Sequence, residues 1–284
     1  MKRISILLLF LLILSACRKA DYGPSEEELR RADSLSLRVA VIPTLSTLPL
    51  YYAERIGLDD SLGLDMRLEH LTSLMDIDTM VLNHHVQLFI TDSIRLAYNQ
   101  SAMPATPIFS THEPLSLLLN SNVKIKKLTG LYEKTIAISR HCSDETWCLQ
   151  LIDSAKMSIY DVYRPQIHDI ILRSQMLSNQ LLDAAILPEP YATVLHWSGL
   201  PTLSKCYKGS LACSIIACVD TLTSNQHRAS QFEKFQKVYD IATELMNQGA
   251  ASDTIRAILY DDYGIERHIA DSLKVPHIQK LRKL

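Results

Sequence analysis

From Leu37 onward, short apolar runs alternate with amphipathic segments. "LRVAVI" (Leu37 to Ile42) is apolar at nearly every position and rich in β-branched residues, which is the pattern of a strand covered on both faces. Proline and hydroxyls in "PTLST" break it. "LPLYYAERI" then places apolar residues at helical spacing, and Gly57 stops the helix, because a left-handed closing residue is cheapest without a Cβ. The cycle repeats. "LGLDMRLEHL" alternates as a strand, "MDIDTMVLNHH" reads as a helix, "VQLFI" as a strand, and "TDSIRLAYNQ" as a helix capped by Thr91 or Asp92.

A second round follows "LLLNSNVKIKKLTGLYEK". "TIAISR" (Thr135 to Arg140) is a strand, "CSDETWCLQLIDSAKM" a capped helix, and "YDVYRPQIH" a linker with a short strand. "DIILRSQMLSNQ" is a helix and "LDAAIL" another strand. Strands alternating with helices imply βαβ crossovers and mostly parallel sheets, hence an α/β fold. The halves share a pattern and no strict repeat. Near the end, "QFEKFQKVYDIATELMNQ" and "ASDTIRAILYDDYG" form two helices with apolar residues three and four apart.

The N-terminus is different. "MKR" followed by "ISILLLFLLIL" joins positive charge to an apolar core too short for a good membrane span, as in a secretory signal peptide. "LSAC" (Leu14 to Cys17) resembles the bacterial lipobox, in which an aliphatic and two small residues precede the cysteine that is acylated before cleavage. Residues 1–17 are thus expected to be a lipoprotein signal peptide, with Cys17 as the lipidation site. Three acyl chains exceed the two signals that stable anchoring requires. Residues 18–35 are polar without an apolar period and are expected to be a tether.

Composition narrows the function classes. The 284 residues, 47% hydrophobic and 21% charged, hold material for two modest cores. A formal net charge of -2 offers no basic footprint for phosphate backbones, which argues against nucleic acid as a partner. Cys142, Cys148, Cys206, Cys213 and Cys218 are spaced unlike paired C-x-x-C zinc motifs, so no metal site is expected. Cys142 with Cys148, and Cys206 with Cys213, bracket short loops; disulfides and buried thiols both stay open. There is no G-x-S-x-G, H-E-x-x-H or P-loop, and no catalytic residue or cofactor is assigned.

Four segments, "LRVAVIPTLSTLPLYYAERIGLDDSLGLDMRL", "LFITDSIRLA", "LTGLYEKTIAISR" and "LDAAILPEPYATVL", resemble in order and spacing the substrate-binding proteins of ABC transporters. The resemblance is to the group that includes taurine, alkanesulfonate, nitrate and thiamine-precursor binders. "YGIERHIADSLKVPHIQ" is similar to that family's C-terminal helical segment, and the likeness runs from Leu37 to Gln279. It implies a type 2 periplasmic-binding-protein fold, with two α/β lobes joined by two crossover strands and a ligand cleft between them. Lobe 1 would comprise residues 36–124 and 217–284, and lobe 2 residues 125–216. It also implies a monomeric capture protein of the bacterial cell envelope, lipid-anchored on the periplasmic face or cell surface. Its partners would be a small polar ligand, an ABC permease and that permease's ATPase. Two other readings stay open: an enzyme on the same fold, in pyrimidine or thiamine-precursor metabolism, and a structural lipoprotein without transport.

Open α/β sheets bind ligands beyond the carboxyl ends of their strands. On the implied fold, those ends supply Thr44, Leu45 and Ser46, then Thr91 and Asp92, then Arg140, His141, Cys142 and Ser143, and finally Glu189 and Tyr191. Glu189 stands between Pro188 and Pro190, whose rings stiffen the turn. It reads either as a ligand or hinge contact or as a charge at the start of the following helix. Asp92 and Ser143 read as N-caps or as ligand contacts, and Arg140 as a ligand's counter-charge or a solvated side chain.

Overall fold

The computed structural model describes residues 35–219, 226–249 and 252–284. The signal peptide, Cys17 and the tether up to residue 34 lie outside these residues. Residues Leu37–Leu284 form one compact unit, and among the described residues no helix is long and apolar enough to cross a membrane.

The first apolar runs build the centre of a six-stranded sheet. β1 (Leu37–Val41) pairs in parallel with β2 (Met66–His70) and β3 (Leu88–Asp92). β9 (Cys213–Val219) runs antiparallel to β3 and to β4 (Ala105–His112), and β10 (Arg282–Lys283) closes the β4 edge. Every residue of β3 is buried, as a strand without polar alternation requires. A second, four-stranded sheet has the order β6 (Ile136–Ala137), β7 (Ala184–Pro188), β5 (Leu115–Leu119), β8 (Thr202–Cys206). "TIAISR" yields only the two-residue β6, because its outer neighbour is the linker, met at the isolated bridges Thr135 to Tyr163 and Ile138 to Gln166.

The chain changes sheet between β4 and β5, through Glu113 and Pro114, and returns through residues 207–212. Glu113 N donates to Ala212 O at 2.9 Å, so the two passages are bonded to each other. Both fall earlier than the expected lobe boundaries at 124/125 and 216/217. β5 pairs with β7 and β8 in the second sheet, although residues 115–119 were expected with the first lobe. "LSLLL" has no polar alternation, and nothing local in it says which sheet it joins.

Helices cover these sheets. α1 (Leu48–Ile56) carries Pro49 in its first turn and closes on Gly57, whose φ of 65° lets its N–H cap Ala53 O and Glu54 O. After the short α2 (Leu58–Ser61) comes α3 (Leu74–Leu82), capped by Ser73. α4 (Ser93–Asn99) follows β3, and α5 (Ser143–Ser154), α6 (Ile170–Ser178) and α7 (Tyr191–Trp197) accompany the second sheet. Alternate residues of β5 and β7 divide two cores. Leu118, Ala185 and Leu187 join the core of the first sheet, whereas Leu117, Leu119, Ala184 and Ile186 pack with Trp147 and Ile152.

α8 (Gln226–Asn247), α9 (Ser252–Asp261) and α10 (Arg267–Ala270) end the chain's helical part. α8 packs on α1 and buries Phe235, Val238, Tyr239 and Ala242 at helical spacing. Two tyrosines then fix the loop after β1. Tyr239 donates its hydroxyl to Ser46 O at 2.7 Å, and Tyr263 donates to Thr44 O at 2.8 Å.

Candidate functional site

A cavity of about 70 Å³ lies where the strand ends of the two sheets meet. That is room for several waters, since one needs about 10–15 Å³ on this measure. Thr44, Thr91, Asp92, Cys142 and Ser143, all expected at strand ends, line it together. Most of the remaining wall is apolar, with Ile42, Ile90, Leu115, Ile170 and Leu211.

Asp92 joins two elements. Its Oδ1 accepts from the N–H groups of Ile94 and Arg95 at the start of α4, and its Oδ2 accepts from Ser143 N at the start of α5, each at 2.9 Å. The residue is thus N-cap and cavity wall at once. Burial and the nearby Asp144 raise its pKa, and the bonds from Ser143 and Arg95 oppose that rise. Arg95 makes a paired contact with Asp78 and reaches back to Arg140 O at 3.0 Å and Cys142 Sγ at 3.4 Å. Burial, with Asp144 and Asp92 nearby, drives the Cys142 pKa well above the ordinary thiol value and keeps the group neutral. No disulfide joins the five described cysteines.

Other expected residues stand elsewhere. Ser46 lies behind the cavity, giving its N–H to Glu113 Oε2 at 2.9 Å and its hydroxyl to Ser214 Oγ at 2.9 Å. Leu45 N donates to Glu189 O at 2.8 Å, which ties the loop after β1 to the loop after β7. Glu189 does not line the cavity: its Oε2 accepts from Thr193 N at 3.0 Å and caps α7. Tyr191 also lies off it, donating its hydroxyl to Tyr263 O. Arg140 is exposed beside a separate surface groove, and His141, at a φ of 55°, stacks on Tyr98 with ring centroids 3.8 Å apart. The turn at 140–141 directs both side chains outward, so neither reaches the cavity.

Six polar residues of the wall, Glu113, Ser139, Asp144, His168, Arg173 and Ser214, were not expected from the sequence. Glu113 belongs to the first passage between the sheets; burial raises its carboxyl pKa to about 7 against the pull of the Ser46 and Thr44 groups. Arg173, on α6, pairs through Nη1 with Asp144 Oδ2, and both side chains are almost fully buried. Asp144 also accepts from Ser139 N at 2.9 Å and Glu145 N at 2.7 Å. Glu113 Oε1, Ser143 Oγ and Arg173 Nε remain buried with no hydrogen-bond partner in the protein. A buried group left so costs about 1–3 kcal/mol, and three gathered at one cavity mark a place built to receive something polar.

No family model matches the chain, and no curated protein matches it. Solved structures do. The alkanesulfonate-binding protein SsuA from Xanthomonas axonopodis pv. citri, bound to MOPS, superposes with a TM-score of 0.70 at 13% identity, over 88% of this chain and 86% of that one. The ligand-binding component of an ABC-type import system from Staphylococcus aureus, with zinc bound, gives 0.67 at 12% identity, over 84% and 82%. PhnD1 from Prochlorococcus marinus in complex with methylphosphonate gives 0.58 at 11% identity, over 75% and 90%. The α/β architecture with its two sheets and two passages is thus that of the type 2 periplasmic-binding proteins.

Proposed function

Proceeding from that fold, we propose that this chain is an extracytoplasmic solute-binding protein, anchored through a lipid on Cys17, that captures a small polar molecule and hands it to an ABC importer. One observation carries the reading: a cavity between two sheets whose buried Glu113, Ser143 and Arg173 atoms lack partners inside the protein. Supporting it, the similar structures include a sulfonate binder and a component of an ABC-type import system. An enzyme is disfavoured, because Cys142, the nucleophile at hand, is held as a neutral thiol by burial and two carboxylates.

Ligand capture is tested by thermal shift of the purified protein against sulfonates, phosphonates, nitrate, pyrimidines, amines and flavin-like heterocycles. One class should raise the melting temperature in a concentration-dependent way, since a ligand of the native state stabilises it by mass action. A flat response to every class would defeat the reading. The anchor is tested separately. Cys17→Ala should move the protein from the detergent phase to the aqueous phase, or leave it uncleaved; unchanged partitioning would rule the lipid out.

A further inference from the structure

The cavity's unpartnered atoms define their complement. Glu113 Oε1 has no partner in the protein and, when the group ionises, wants a donor; Arg173 Nε is a donor in want of an acceptor, and Ser143 Oγ meets no acceptor at hydrogen-bond geometry although it lies near enough to Asp92 to lower that carboxyl's pKa. Two of the other carboxylates on the wall are engaged. Asp92 takes three backbone N–H groups, and Asp144 takes two together with the Arg173 guanidinium.

Charge points the same way. Three carboxylates, Asp92, Glu113 and Asp144, face one guanidinium that is already paired with Asp144. His168, also on the wall, adds no positive charge: burial and the fields of Arg95 and Arg173 lower its pKa. A sulfonate or phosphonate brings a full negative charge to this wall. Beside an ionised Glu113 a sulfonate would place a second like charge and offer no donor; only the protonated acid could meet it. The backbone N–H groups that start α4 and α5 are bonded to Asp92 instead.

Resting on the solute-binding reading, we propose that the cavity takes a small organic amine with an apolar body and one neutral acceptor, and discriminates against sulfonates and phosphonates. The ammonium sits on Glu113, the acceptor faces Arg173 and Ser143, and the body lies against Ile42, Ile90 and Ile170. Burial disfavours the ionised form of Glu113, and an incoming cation restores it.

Calorimetry of the purified protein with ethanolamine and histamine as amine probes, and methanesulfonate and methylphosphonate as anion probes, tests this. At least one amine should bind, the anions should not, and Glu113→Gln should weaken the amine about thirtyfold or more. A melting curve of Glu113→Gln, which keeps size and shape, checks that the variant is folded. An anion bound as tightly as the amines overturns the assignment and leaves solute capture standing. An amine bound equally by Glu113→Gln overturns it too. Silence of both probe sets also overturns it, and the wider thermal-shift panel then decides whether solute capture falls with it.

Discussion

Asp144→Ala is expected to remove about 3–5 kcal/mol of unfolding free energy, the cost of leaving a buried charge without its partner. Arg173 exposes only 3% of its side chain and Asp144 only 7%, so bulk water compensates little for the lost contact. The substitution also strips Ser139 N and Glu145 N of their acceptor. Against a typical total of about 5–15 kcal/mol, that is a large share. Urea unfolding should show a lowered midpoint with little change in slope. The cause is separable from lost packing: adding Arg173→Leu to Asp144→Ala should recover part of the loss, because the orphaned charge goes with it. A single variant within 1 kcal/mol of the parent, on the order of a surface change, would show the pair to be solvated in solution.

Glu113→Gln should act in the opposite direction. The carboxyl pKa is raised from 4.5 to about 7 by burial, so the folded protein binds this proton more tightly than the unfolded chain does. Its contribution to stability is then full below pH 4.5 and is lost as pH rises through about 7. The loss by pH 8 amounts to about 3 kcal/mol, at 1.36 kcal/mol for each pKa unit. Nearby Glu189 adds to the burden, and the Ser46 and Thr44 groups relieve it. The glutamine variant should therefore melt higher than the parent at pH 8, and the gap between them should shrink toward pH 5. Burial also raises the Asp92 carboxyl, so the difference between the two proteins is the quantity to follow. A constant gap across that range would place the Glu113 proton elsewhere.

Local patterns carried much of the fold and part of the cavity. The apolar run of β1, Gly57 after α1 and the Asp92 cap each depend on neighbours a few residues away, and each is visible in the sequence. Glu113 depends on something else. The chain has two Glu-Pro pairs at strand ends, Glu113-Pro114 and Glu189-Pro190, and the second stands out because a proline also precedes it. In space the first faces the cavity while the second caps α7. The difference lies in which strand changes sheet, and that is decided by pairing with β7 and β8 far along the chain. Arg173 was hidden for a similar reason. In "DIILRSQMLSNQ" it looks like the polar face of an amphipathic helix, and only the distant Asp144 makes its burial tolerable.

Asp92 also sets a clock. Widening the cavity means parting the start of α4 from the start of α5, and so breaking the Asp92 bond to Ser143 together with the Arg95 bond to the Arg140 carbonyl. A solute that fits the present 70 Å³ can enter at a rate governed by collision. A bulkier one must wait for the latch, and its exchange follows the frequency of opening however abundant it is. The carboxylate that fills the helix starts would then sort molecules by residence time as well as by charge.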